Sequence, residues 1–303
     1  MPDPAHIIDG TAIAAEARRE VKGRVAHLRS LGKPVRLVAM LFGSPPGAQI
    51  YAQRQGEACA EVGIDYELKQ LPADITQADA EAELFTLNDD PDVTGIMVHL
   101  PLPPALDHYA LQGHIRVTKD VEGVTPANIG HVVYGRTLIA PCTALAAYEL
   151  VRSTGIDLRG AEATVVGASE IAGKPVSLLL TQAEATVTIC HKLTRDLIAH
   201  TSKADILIVA AGYPNLIGPD HVREGAVVID IGINRVMTFD GKKKTVGDVD
   251  FDRVQHKAGR ITPVPGGVGP MTVAMLLRNT VRAAELAAGI EKPWFSNADV
   301  GAT

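Results

Sequence analysis

Residues 263–272, Pro-Val-Pro-Gly-Gly-Val-Gly-Pro-Met-Thr, hold three prolines and three glycines and cannot continue a regular helix or strand. Proline fixes its own φ and withholds an N–H, while glycine opens positive φ and lets the backbone approach a ligand closely. An apolar, helix-patterned run begins at Met271. Ile261–Thr272 therefore reads as a shaped loop feeding a helix N-terminus, a place suited to a flat ring or an anion. Taken alone it is equally a structural Pro/Gly turn, so the flanking pattern has to decide.

That pattern alternates. Thr11–Arg29 reads as an amphipathic helix, with Ile13, Ala17, Val21 and Val25 at helical spacing. Arg36–Phe42 is a buried-type strand closed by Gly43-Ser-Pro-Pro-Gly47, with a helix starting near Gln49. A strand over Tyr66–Leu71, a helix over Ala78–Asn88 and a strand over Gly95–Leu100 follow. A second series opens with a helix over Ala144–Ser153 and a strand over Ala163–Val166. It continues with a glycine loop, a helix over Pro175–Ala183, and strands over Thr186–Cys190, Ile206–Ala210 and Val227–Ile231. The last helix is read over Met271–Ala288; Trp294 and the tail to Thr303 carry no readable pattern. Strands alternating with helices predict an α/β protein built on mostly parallel sheets. The second series, strand–glycine turn–helix–strand, is of Rossmann type.

Composition narrows the class. A 303-residue chain allows one or two domains, and its net charge of −6 leaves no basic excess for a general nucleic-acid binder. The run Lys242–Lys244 is most simply a solvated hairpin tip beside Asp240-Gly241. Cys59, Cys142 and Cys190 lack metal-ligand spacing and fit a reducing compartment. Met-Pro-Asp-Pro has no basic region followed by an apolar core, so no signal peptide is evident, and no run of about 18 apolar residues appears, so no membrane span is expected. A soluble cytoplasmic protein is expected. No histidine pair with an intervening acid at helical spacing suggests a metal site, and no nucleophile elbow suggests a hydrolase triad.

Gly167-Ala-Ser-Glu-Ile-Ala-Gly-Lys-Pro175 departs from the usual dinucleotide fingerprint, but it follows a strand and opens a helix. Free N–H groups and the helix dipole favour a pyrophosphate there, and Ser169 has a hydroxyl to donate. The competing reading is a tight structural turn. The next strand ends at Cys190-His-Lys-Leu-Thr-Arg195 with no acid for a ribose 2′-hydroxyl. His191, Lys192 and Arg195 instead favour a 2′-phosphate, hence NADP over NAD, unless Lys192 and Arg195 are merely exposed.

Taken in order, Tyr51 to Gly63, Val98-His-Leu-Pro-Leu-Pro103, Lys119-Asp-Val-Glu-Gly123, Gly167–Pro175 and Ile261–Thr272 resemble one family. It is the bifunctional methylenetetrahydrofolate dehydrogenase/methenyltetrahydrofolate cyclohydrolase family, usually called FolD. The resemblance runs from Ile7-Ile-Asp-Gly10 to the helix after Thr272. It implies an N-terminal α/β substrate domain and a Rossmann-type parallel-sheet NADP-binding domain with a cleft between them. Residues 1–140 and 272–303 would form the discontinuous folate-binding catalytic domain and 141–271 the NADP domain. It also implies a tetrahydrofolate substrate, a homodimer and specific contacts. The cofactor residues would be Gly167, Ala168, Ser169, Ile171, His191, Lys192, Ile233 in Asp230-Ile-Gly-Ile-Asn234, and Gly267. The substrate residues would be Tyr51, His99, Leu100, Pro101, Glu122, Pro265, Gly266 and Thr272.

Tyr51 matches the family tyrosine that stacks on the substrate, and stacking on a flat pterin is a fair use of an aromatic ring. The competing reading, without the resemblance, is a core tyrosine. Three positions depart from the family. Its key lysine, four residues after the tyrosine and on the same helix face, is Gln55 here. Arg54 lies about 100° around the helix and does not replace it. The glutamine before Leu-Pro-Leu-Pro is His99, and the second acid of Lys-Asp-Val-Asp-Gly is Glu122. With Tyr51, these are the expected catalytic residues. Hydride transfer needs alignment and tolerance of a forming cation, whereas ring hydrolysis gains from a group that exchanges protons near neutral pH. Gln55 does not exchange one. The expectation is an NADP-dependent methylenetetrahydrofolate dehydrogenase with weak or absent cyclohydrolase activity. The alternatives are a fully bifunctional enzyme using His99 for proton transfer, a non-catalytic folate- and NADP-binding paralogue, and a different carbon donor or modified pterin.

Overall fold

The computed structural model describes residues 5–43, 45–237 and 241–290; Asp240, Trp294 and the tail lie outside them. The chain runs β1 (His6–Ile7), α1 (Gly10–Ser30), β2 (Arg36–Phe42), α2 (Pro46–Val62), β3 (Asp65–Leu71), α3 (Gln77–Asp89) and β4 (Gly95–Val98). It continues α4 (His108–Gly113), α5 (Pro126–Val133), α6 (Cys142–Ser153), β5 (Glu162–Val166), α7 (Gly173–Gln182) and β6 (Thr186–Cys190). Then come α8 (Leu197–Thr201), β7 (Ile206–Val209), β8 (Val227–Asp230), β9 (Asn234–Met237), β10 (Lys243–Val246), α9 (Phe251–Val254), β11 (Arg260–Ile261) and α10 (Val268–Ala287).

The contacts divide these elements into two units. One holds the described residues up to Ala15 together with Pro141–Thr272; the other holds Glu16–Ala140 with the rest of α10. The sequence placed residues 1–140 together, but β1 pairs in parallel with β11, which draws the N-terminal residues into the Pro141–Thr272 unit. Two residues are too short a strand to announce themselves by alternation.

In the Glu16–Ala140 unit a three-stranded parallel sheet runs β3-β2-β4. Its central strand is apolar and buried from Leu37 to Phe42, as a strand covered on both faces requires. Val38, Met40, Phe42, Leu84, Ile96 and Val98 form the core under it. The strand expected to reach Leu100 stops at Val98. The His99 N–H still reaches Met40 O at 2.9 Å, but Pro101 has no N–H to extend the ladder. Thr76, Asp107 and Thr125 accept from the first-turn N–H groups of α3, α4 and α5. On α10 the buried Asn279 donates to Val121 O and Ala140 O at 2.8 and 3.0 Å.

The other unit carries a six-stranded parallel sheet, β1-β11-β8-β7-β5-β6. Leu207, Val209, Ile217, Val228, Val249 and Ile261 fill one cluster against it. β9 and β10 form a separate antiparallel hairpin. Lys243 and Lys244 belong to its second strand rather than to its tip, and both are exposed. Among the described residues no helix is long and apolar enough to cross a membrane.

Candidate active site

Tyr51 and Gln55 sit one turn apart on α2. Ala52, Gln55 and Cys59 are its buried stripe, while Arg54 faces solvent. Gln55 is only 1% exposed, yet neither its Oε1 nor its Nε2 has a hydrogen-bond partner. His99 follows β4, is 3% exposed, and leaves its buried Nε2 without a partner. The Tyr51 ring stands edge-on to the His99 ring, with centroids 6.1 Å apart and planes at 89°, and stays 44% exposed. Buried amide and imidazole atoms without partners are costly in a finished protein, which makes Gln55 and His99 candidates for bonding to a ligand.

Glu122 joins this group through the loop after β4. Its Oε2 accepts the Val98 N–H at 3.3 Å, one residue before His99. Burial, opposed by that hydrogen bond and aided by the charge of Asp120, pushes its carboxyl up to about 7. Burial lowers the His99 pKa, so its imidazole is neutral at pH 7. Asp120 was not foreseen as a site residue. Fully buried, it accepts from Gly123, Val124 and Thr125 N–H groups and from Asn128 Nδ2 at 2.8–3.2 Å, folding the turn that presents Glu122. The sequence signals only a turn there, an aspartate three residues before a glycine, and not which N–H groups the carboxylate meets. Leu100 and Pro101, joined by a cis peptide, are exposed next to His99.

The remaining substrate candidates, Pro265, Gly266 and Thr272, belong to the other unit. There the loop before α10 packs on the start of α1. A Cβ on Gly10 would lie 1.9 Å from Gly267 O, and Thr11 Oγ1 is 3.5 Å from Gly266 O. Gly266 takes a φ of +107°, and Val264–Pro265 is cis. The Thr272 hydroxyl donates to Val268 O at 3.1 Å within α10.

The glycine loop between β5 and α7 is built on contact too close for side chains. A Cβ on Gly167, whose φ is +117°, would lie 2.1 Å from Ala210 O; one on Gly173 would lie 1.9 Å from Gly167 O. Ser169 Oγ accepts the Gly173 N–H at 3.4 Å, and Ser169 and Ile171 are exposed. A cavity of about 620 Å³ opens here, lined by Gly167, Ala168, Ser169, His191, Lys192 and Tyr213 among others. Its size and its glycine cradle fit part of a dinucleotide. His191 is oriented by its own turn: its Nδ1 accepts from Leu193 N–H at 3.2 Å. Arg195 does not line the cavity, and Ile233 is 67% exposed on the loop after β8.

Comparison with known proteins agrees over both halves. Residues 8–122 match the tetrahydrofolate dehydrogenase/cyclohydrolase catalytic domain, and residues 141–288 its NAD(P)-binding domain. The chain is 51% identical over 281 residues to the bifunctional protein FolD of Moorella thermoacetica, covering 93% of this chain and 99% of that one. It is 48% identical over 288 residues to the FolD of Bordetella petrii, covering 95% and 97%. The crystal structure of the Campylobacter jejuni FolD superimposes with a TM-score of 0.89 at 43% identity, covering 93% and 99%. That of the Trypanosoma brucei FolD, complexed with NADP cofactor and inhibitor, gives 0.88 at 37%, covering 94% and 99%. The chain thus belongs to the tetrahydrofolate dehydrogenase/cyclohydrolase family, the bifunctional FolD proteins.

Proposed function

We propose that this protein oxidises 5,10-methylenetetrahydrofolate to the 5,10-methenyl cation with NADP+, and that its cyclohydrolase activity is weak or absent. When bound, NADP+ accepts the hydride from the carbon bridging N5 and N10. That C–H bond breaks with its electron pair leaving, and positive charge spreads over the two nitrogens. Tyr51 stacks on the pterin, Glu122 takes its amino and ring N–H groups, and Gly167–Ser169, His191 and Lys192 hold the dinucleotide.

The observation that carries this reading is the neutral, buried and unpartnered Gln55. A buried ammonium would repel a cation forming beside it, strongly so in a water-poor site. An amide does not. Hydration of the methenyl carbon and opening of the ring need protons moved near neutral pH, and an amide does not move them. A cytoplasmic homodimer acting on a small-molecule folate, without nucleic acid or membrane, completes the proposal by resemblance to the family.

One observation favours a second reading. The buried His99 Nε2 has no protein partner, so a neutral imidazole is available to carry the cyclohydrolase proton. Purified protein given 5,10-methylenetetrahydrofolate with NADP+ or NAD+ separates the readings. Methenyl product that accumulates with NADP+ and decays no faster than in buffer supports the dehydrogenase alone. Rapid enzymatic conversion to the formyl product favours His99. Binding of both ligands without turnover would leave a non-catalytic paralogue.

A further inference from the structure

Two buried carboxylates sit beside the cofactor loops, and the expected site residues include neither. Asp230 ends β8 and is 3% exposed; Asp248 follows β10 and is fully buried. Neither has an ion-pair partner among the described residues. Asp230 accepts from the Gly232 N–H in its own loop and from the Asp248 and Val249 N–H groups after β10, at 2.9–3.1 Å. Asp248 reaches further. Its Oδ2 accepts from Ala211 and Gly212 N–H at 2.6 and 2.8 Å, and its Oδ1 accepts from Asn234 Nδ2 at 2.8 Å.

Those partners belong to different loops. Ala210, Ala211 and Tyr213 line the cavity that also holds Gly167, Ser169, His191 and Lys192. Asn234 ends the loop after β8 that carries Ile233. The backbone is cut to admit both carboxyl groups. A Cβ on Gly232 would lie 2.3 Å from the Asp248 carboxyl, and one on Gly247 would lie 1.8 Å from Asp230 Oδ2. Two like-charged groups buried together without a cation are a poor choice for stability alone. Burial already pushes the Asp230 carboxyl up to about 6. What the arrangement secures is the spacing of two loops beyond the point where the β7–β8 pairing ends, at Val209 and Asp230.

We propose that Asp248 is a positioning residue for the dinucleotide, clamping the loop after β7 to the loop after β8 so that both meet the cofactor in register. The inference rests on the NADP reading above. It is tested in the full-length protein with Asp248→Asn, which keeps the size but turns an N–H₂ toward backbone donors. The expected result is a rise of about tenfold or more in KM and Kd for NADP+, with KM for methylenetetrahydrofolate within about twofold. A merely structural role would lower the active fraction, and so kcat, at unchanged KM for NADP+. A folded Asp248→Asn protein binding NADP+ within about twofold of wild type overturns the proposal. Where Asp248→Asn does not fold, Asn234→Ala decides, since it removes one of the three bonds at a half-buried position. A rise of about threefold or more in KM for NADP+ is then expected, and an unchanged KM overturns the proposal. A wild-type protein with no affinity for NADP+ would instead sink the NADP reading, and this inference with it.

Discussion

The glycine loop from Gly167 to Gly173 is made of backbone, whereas the Tyr51, Gln55, His99 and Glu122 site is made of side chains. In the first, contacts of 1.9 and 2.1 Å from any added Cβ leave no room for variation. In the second, Oε1 and Nε2 of Gln55 and Nε2 of His99 make no hydrogen bond in the protein, so no bond of the fold depends on them. A backbone site is tied to the architecture that makes it. A side-chain site can be re-equipped without disturbing the helix or strand beneath, and it is there that departures from the family pattern are expected from the sequence.

The largest effect should follow from forcing a side chain into the backbone site. Gly173→Ala is expected to cost about 3 kcal/mol or more of stability and to abolish measurable NADP+ binding. Denaturant unfolding and cofactor titration check both, and a neutral outcome would mean that the loop is looser than its contacts imply. The side-chain site should respond the opposite way. Gln55→Lys is expected to keep the fold and to raise the rate of methenyl hydrolysis about tenfold or more, within the range of one positioned proton-transfer group. Following the decay of methenyltetrahydrofolate measures it; no gain would show that the missing ammonium is not what limits hydrolysis.

Glu122 gives a smaller, pH-dependent effect. Its carboxyl is raised from 4.5 to about 7, so its favourable contribution is complete below the unfolded value and is lost as pH rises through about 7. Glu122→Gln, which never charges, should therefore be more stable than wild type by about 2 kcal/mol near pH 8, with no advantage near pH 4. The full shift would give about 3 kcal/mol, and partial exposure reduces it. Thermal melts across that range test the sign; a Glu122→Gln protein less stable than wild type near pH 8 would contradict it. The smallest effect belongs to Arg54→Ala, expected to stay within about 0.5 kcal/mol and to leave turnover unchanged, because the side chain faces solvent. A large loss there would show that Arg54 does substitute for the family lysine.

Much of the fold was legible because its strands are short apolar or β-branched runs bounded by turn signals. Arg36–Phe42 and Thr186–Cys190 were read to the residue, since continuous apolar or β-branched runs between turn signals leave little choice. Helix ends slipped where capping rather than periodicity decides, as at α2, which starts at Pro46 rather than near Gln49. The edge strand His6–Ile7 was invisible, because only a partner 254 residues away makes it a strand. Among site residues, Asp120 and Asp248 were missed for one reason. Each acts through backbone N–H groups, and a sequence does not display which N–H groups meet a carboxylate.

By itself the sequence determined the alternation of strands and helices, the glycine turn that opens α7, and the residue types at 55, 99 and 122, because periodicity, backbone permissiveness and side-chain chemistry are local properties. Only the tertiary structure decided that Gln55 and His99 are buried with unmet hydrogen bonds, that the Glu122 carboxyl sits near neutrality, and that Asp248 holds two loops at once. Burial, desolvation and hydrogen bonding over long sequence separations come into being only when distant segments pack, and they set what those local residues do.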